Sequence, residues 1–354
     1  MNTNKVAQRS RAGPPETATR PCFDTLAQPR RMTDPPSRCF TEEEKTMKSN
    51  QRWSLPFVVG LSLAVQSADA REPGVPTSVP PGNTIGAAVG ASFPPGFYFS
   101  SRSGYWDAEL KDGSGDFGGQ TNTLTDTAAQ FLWAPGTTLW GGDYKAFVTI
   151  PLLNNEQDRT SPFPPPLQGS SSKLSLGNIE ISPISLSWQL EPGVFVSAGI
   201  NMYAPTGDFD PNAPISSGGD FWAFAPSLGF SYLRNGWNTS IFTSYFTNTE
   251  SSSTDYKSGD EVLVNVSALK DFGGWSLGPV GYYRKQITDD ENNGSYYGGT
   301  TLEKAEQAAL GIGFSTRLGK VETNINLTRD FHVRNTVGGS KLWVNFSMPI
   351  GGKP

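Results

Sequence analysis

The connections in this chain keep a rhythm. From residue 93 onward, segments of period-2 alternation are joined in turn by tight turns and long polar loops. The tight set is Glu191-Pro192, Arg234-Asn235-Gly236, Phe272-Gly273-Gly274 and Gly319-Lys320, with 134–142 somewhat longer. The long set is 111–121, 153–175, 205–219, 250–259, 287–304 and 332–339. Between them the pattern predicts twelve strands, near 97–110, 122–133, 143–152, 176–190, 193–204, 220–233, 236–249, 260–271, 274–286, 305–318, 320–331 and 340–350. Pro183 interrupts the fourth, because proline cannot donate to a ladder. A soluble sandwich has no reason to sustain such alternation, whereas a membrane barrel keeps tight turns at one end, long loops at the other and an even strand count. The expected fold is all-β: a closed antiparallel transmembrane β-barrel of about 12 strands, outer-membrane type, with both chain ends on the tight-turn, periplasmic side.

Side-chain alternation predicts the two faces. Val321, Thr323, Ile325 and Leu327 alternate with Glu322, Asn324, Asn326 and Thr328. Leu310, Ile312, Phe314 and Leu318 oppose Gln307, Gly311, Ser315 and Arg317, and Tyr144, Val148, Ile150 and Leu152 oppose Lys145 and Thr149. From Arg71 on, no apolar run approaches the ~20 residues of a spanning helix. In hydrocarbon every strand must therefore pair and the sheet must close, with the apolar face toward lipid. The eight Trp residues after residue 70 all fall near predicted strand ends: Trp133, Trp140, Trp188, Trp237 and Trp275 by the short connections, Trp106, Trp222 and Trp343 by the long ones. Such placement predicts two interfacial girdles.

The region before the strands reads as processing. Lys48 and Arg52 lead into the 11 apolar residues 55–65, and Ala68-Asp69-Ala70 has the small-x-small cleavage pattern. We read 47–70 as a signal peptide that leaves Arg71 as the mature N-terminus. Residues 1–46 are rich in Pro, Arg, Thr and Glu without hydrophobic periodicity, and read as a non-native or disordered extension. Residues 71–92 are expected as a periplasmic N-terminal segment and 93–354 as the barrel. Both cysteines, Cys22 and Cys39, precede Met47, which suits an oxidising compartment. Residues 71–354 hold 18 Lys and Arg against 26 Asp and Glu, a net charge of −8 that disfavours nucleic acid as a partner.

Phe93-Pro94-Pro95-Gly96-Phe97-Tyr98 and Ala204-Pro205-Thr206-Gly207-Asp208-Phe209-Asp210-Pro211 resemble segments of the bacterial outer-membrane proteins named for the meta-pathway of phenol degradation. The resemblance spans roughly 93–350. It implies a porin-like barrel associated with aromatic degradation, and it brings no catalytic residues. Many outer-membrane barrels end on an aromatic residue read by the barrel-assembly machinery; this chain ends Ser347-Met348-Pro349-Ile350-Gly351-Gly352-Lys353-Pro354, with Phe346 as the displaced candidate.

Catalysis finds little support. A serine hydroxyl needs a base, and His332 is the one histidine, with Arg334 where a His-x-Ser pair would need serine. Asp289-Asp290-Glu291 and Asp208/Asp210 could hold Ca²⁺, but they lack EF-hand spacing and read as solvated loops. No metal or cofactor is expected. Parity places Lys145, Asn201, Asn265, Arg317, Glu322, Asn324 and Asn326 in the lumen, the candidates for contact with a passing solute. The function these features predict is passive uptake of small hydrophobic compounds, the aromatic class coming from the resemblance alone. The expected partners are outer-membrane lipids, such solutes and the assembly machinery. The rivals are a structural or surface-interaction barrel with a plugged lumen and, less favoured, a membrane-embedded lipid-modifying enzyme.

Overall fold

The computed structural model describes residues 71–162 and 168–351. The expected extension 1–46 and signal peptide 47–70 lie outside the described residues. Twelve strands build the wall: β1 (Gly96–Lys111), β2 (Phe117–Ala134), β3 (Gly142–Arg159), β4 in two stretches (Gly169–Leu176 and Glu180–Glu191), β5 (Val194–Tyr203), β6 (Ala223–Tyr232), β7 (Trp237–Asn248), β8 (Glu261–Asp271), β9 (Trp275–Gln286), β10 (Glu306–Leu318), β11 (Val321–Arg334) and β12 (Thr336–Gly351). Each pairs antiparallel with its sequence neighbour. β1 then pairs with β12, from Phe97 opposite Gly351 to Lys111 opposite Thr336, and closes the ring. Closure leaves no edge whose backbone groups would face lipid unpaired.

The tight turns follow local chemistry. Asn235 and Gly236 both take positive φ (54° and 70°), the conformation of the two-residue turns that match strand twist. Three expected loops were too long, 111–121 among them, since β2 already begins at Phe117. The region 332–339 is a tight turn at Asn335, whose φ of 51° is one asparagine tolerates, while β11 and β12 run up to it on either side. Likewise β3 continues to Arg159 and β4 begins at Gly169. Polar strand ends standing above the bilayer carry no apolar face, so they read as loop.

Outward residues are apolar where lipid lies: Leu228 (65% exposed), Leu310 (63%), Ile312, Leu327 and Val344. Inward Asn326, Thr328 and Gln307 are fully buried. A closed barrel with an apolar outer belt and a polar interior is a protein of the bacterial outer membrane. Trp133, Trp140, Trp222, Trp237 and Trp275 are exposed on its outside, and Trp188 donates its indole N–H to the Trp140 carbonyl at 3.1 Å. Trp106 and Trp343 depart from the girdle expectation: both point into the lumen and are buried. β12 starts four residues before its predicted start, which sets Trp343 opposite Gly104 and Asn326, well inside the wall.

Residues 71–92 do not hang outside the barrel, where the sequence reading put them. They run through its interior from the long-loop end, where Arg71 and Glu72 are buried, to Phe93 at the short-turn end. Val75 packs with Tyr203, Phe221, Phe246 and Leu263, and Ile85 with Leu269, Val280, Tyr282 and Ala309. Gly90 passes so close to the wall that a Cβ there would stand 2.8 Å from the Phe195 carbonyl oxygen and the Ser231 nitrogen. Sequence could not disclose this path, because the segment lacks strand periodicity and its backbone is satisfied by side chains far along the chain.

Candidate functional site: the barrel lumen

The interior segment divides the lumen into two cavities. The larger, about 1100 Å³, opens at the short-turn end; the smaller, about 160 Å³, lies beneath the long loops. Asn83, Arg102 and Glu180 line both and so mark the divide. The smaller cavity is roofed by the loop after β5, where Ile215 and Phe221 are buried and the Pro214 carbonyl accepts from Gln157 (2.8 Å) and Arg159 (3.1 Å). The larger has apolar walls from Leu132, Phe147 and Phe242, interrupted by polar side chains at alternate positions.

The seven predicted lumen residues separate into two groups. Lys145, Asn201, Arg317, Glu322 and Asn324 line the larger cavity. The Lys145 ammonium sits 4.8 Å from the Phe93 ring centroid, and Arg317 meets Glu322 at 3.7 Å across the tight turn at Gly319. Asn265 and Asn326 instead hold the interior segment. Asn265 accepts from the Gly82 N–H (3.1 Å) and donates to Asn83 (3.1 Å) and Thr84 (2.8 Å); Asn326 donates to the Ile85 carbonyl (3.2 Å). Further along, Asn238 donates to the Gly86 carbonyl, Ser197 to that of Val89 and Ser187 to that of Gly90, while Ser231 accepts from the Gly90 N–H.

The far tip of the segment is held by charge. Arg71 lies 3.8 Å from Glu261, which also binds Arg284, so one buried carboxylate serves two guanidinium groups. Glu72 accepts from Thr254 (2.5 Å) and Tyr297 (3.2 Å), and burial raises its pKa to about 7 despite those bonds. At mid-height the Lys341 ammonium stands 3.8 Å from the Trp106 ring centroid and 5.2 Å from that of Trp343, and donates to the Pro81 carbonyl at 3.4 Å. Sequence reading passed over this cage and over Arg102 and Glu180. Strand parity carries the signal: in β1, Arg102, Gly104 and Trp106 alternate with Ser103 and Tyr105, and a register from the closing hairpin would have placed them inward.

The groups weighed for chemistry have ordinary partners. His332 lies 3.7 Å from Glu306, an acid–base pair with no serine in it. Asp208 pairs with Lys173 (2.9 Å), Asp289 with Lys304 (3.1 Å) and Glu291 with Lys257 (2.9 Å). Asp290 accepts from the Gly259 N–H and Gln286, each at 2.7 Å. No cluster suited to a metal ion occurs among the described residues.

Residues 81–346 match the model of the family described as "Putative MetA-pathway of phenol degradation". Among solved structures, the COG4313 outer membrane channel from Pseudomonas putida F1 superposes with a TM-score of 0.61 at 15% identity, over 76% of this chain and 99% of that one. That likeness concerns the fold. The beta domain of the Bordetella autotransporter BrkA (TM-score 0.43, 10% identity, 72% of this chain and 99% of that one) and a Pseudomonas aeruginosa FadL homologue (0.39, 10%, 77% and 99%) superpose too loosely to carry an argument. No curated protein matches the chain.

Proposed function

Because the chain belongs to the family of the MetA-pathway of phenol degradation, we propose that it is an outer-membrane channel for passive uptake of small hydrophobic compounds, aromatic ones included. The observation that carries this reading is the larger cavity: about 1100 Å³ inside a closed barrel, open at the short-turn end, with Leu132, Phe147 and Phe242 beside a few polar groups. Such a lining accommodates an apolar body and orients it by a small number of polar contacts. The solved channel of like fold supports conduction over catalysis.

In this reading the solute passes beside the interior segment and crosses the divide at Arg102 and Glu180. The five cavity-lining candidates, Lys145, Asn201, Arg317, Glu322 and Asn324, contact it on the way. Assembly of the barrel depends on its last strand, where Phe346 faces outward and lies 6.0 Å from the Phe99 ring. A second reading, a structural barrel with a plugged lumen, draws on the same interior segment. Planar-bilayer recording on the refolded barrel separates the two. Step-like ion currents interrupted by small aromatic molecules support the channel; a folded barrel that passes no current supports the plug.

A further inference from the structure

The cavity linings carry the opposite charge to the chain as a whole. Residues 71–354 have a net charge of −8. Yet the side chains lining the two cavities include six cations, Arg102, Lys145, Arg159, Arg284, Arg317 and Lys320, against three carboxylates, Asp126, Glu180 and Glu322. Half of these cations are already engaged: Arg284 by Glu261, Arg317 by Glu322, and Arg159 by Gln120 and the Pro214 carbonyl. Among the carboxylates, Glu180 accepts from the Tyr203 hydroxyl at 3.1 Å, and Asp126 divides its attraction between Lys341 and Arg102.

Three cations remain: Lys320 in the tight turn at the short-turn mouth, and Arg102 and Lys145 set apart along the path. Arg102 stands at the divide with no hydrogen bond to an acceptor among the described residues, although it carries five donors in a fork matched to a carboxylate. Lys145 stands nearer the short-turn end, with the Phe93 ring as its neighbour. Arg102 is in register with Ala128 and, through it, Pro151, so Lys145 lies six residues further along β3. That is about 20 Å along a strand. Between the two levels the wall carries Leu132 opposite Phe147, and next to them Gln130, which donates to Thr149 at 3.0 Å.

We propose that the path selects small amphipathic carboxylates: an aromatic or short aliphatic body bearing one carboxylate. The carboxylate passes from Arg102 to Lys145 while the body rests on Leu132 and Phe147. The inference rests on the channel reading above and narrows its solute class. An ionised carboxylate is the kind of small solute that most needs a protein path, because hydrocarbon offers it no compensating partner.

The test compares phenylacetate with 2-phenylethanol, a neutral molecule of nearly the same size and shape, as blockers of ion current through the refolded full-length barrel. Phenylacetate is expected to interrupt the current with roughly tenfold higher affinity, the scale of one charge-assisted hydrogen bond. Arg102→Gln should remove most of that difference, and Lys145→Met should reduce it independently if the first variant fails to fold. Equal block by the two molecules would overturn the carboxylate inference and leave the channel intact. A folded barrel without current would overturn both.

Discussion

Asn265 on β8 accepts a hydrogen bond from the backbone N–H of Gly82 at 3.1 Å, joining the wall to a segment 183 residues earlier in the chain. The same side chain donates to Asn83 and Thr84, so one amide satisfies three groups of the interior segment. Leucine at this position keeps the bulk and removes every bond, leaving a buried N–H unsatisfied at a cost of about 1–3 kcal/mol. Asn265→Leu should therefore loosen the segment while the barrel stays closed. Single-channel conductance is expected to rise, with unchanged heat-modifiable mobility on gels. Unaltered conductance would mean that the other anchors suffice.

Glu72 gives the segment a pH dependence with a definite sign. Burial lifts its pKa from the ordinary 4.5 to about 7 in the docked state. Below pH 4.5 the carboxyl is neutral whether docked or released. Between 4.5 and 7 only the docked group keeps its proton, so docking weakens as pH rises through that window. Amide hydrogen exchange at Glu72, Gly74 and Val75, corrected for intrinsic rates, should show protection greatest at pH 4.5 and below and falling as pH rises through 7. Glu72→Gln should flatten the profile.

Arg317 and Glu322 meet at 3.7 Å near the short-turn mouth, and both are more than half exposed. Exposed pairs of this kind contribute about 0–1 kcal/mol, so Arg317→Ala should leave the unfolding temperature almost unchanged. Fixed charge at a narrow mouth acts on each passing ion. The reversal potential in a salt gradient should shift toward cations. A wild-type value retained in the variant would place the pair off the ion path.

Gly90 tests the route of the interior segment by sterics alone. A Cβ there meets the Phe195 carbonyl oxygen and the Ser231 nitrogen at 2.8 Å, both backbone atoms that cannot turn aside. Gly90→Leu is expected to displace the last part of the segment and expose it to added protease, whereas a Cβ at Gly74 meets nothing within 4 Å, so Gly74→Ala, disfavoured only by its positive φ (80°), should leave the route unchanged.

The wall was legible in the sequence and its contents were not. Strand number and inward parity follow from period-2 alternation, which is why Lys145, Asn324 and Asn326 read as inward from the sequence. Strand ends above the bilayer lost that signal, as at β3 and at the Asn335 turn, since water on both faces removes the need for an apolar side. The path of 71–92 had no periodic signature. Its carbonyls and N–H groups are met one at a time by Asn265, Asn326, Ser231 and Ser197, residues that look like ordinary lumen lining. The inward Trp106 and Trp343 misled for a related reason: aromatic rings near a predicted strand end read as interfacial until the register shows otherwise.

Entry of a small aromatic solute into intact cells tests the central claim most directly. Initial uptake of isotope-labelled 2-phenylethanol, at concentrations where the outer membrane limits the rate, would be compared between cells with and without this barrel. The channel predicts faster uptake in cells shown by gel mobility to hold the folded barrel in their outer membrane. Equal initial rates in the two, with folded barrel present, would contradict it.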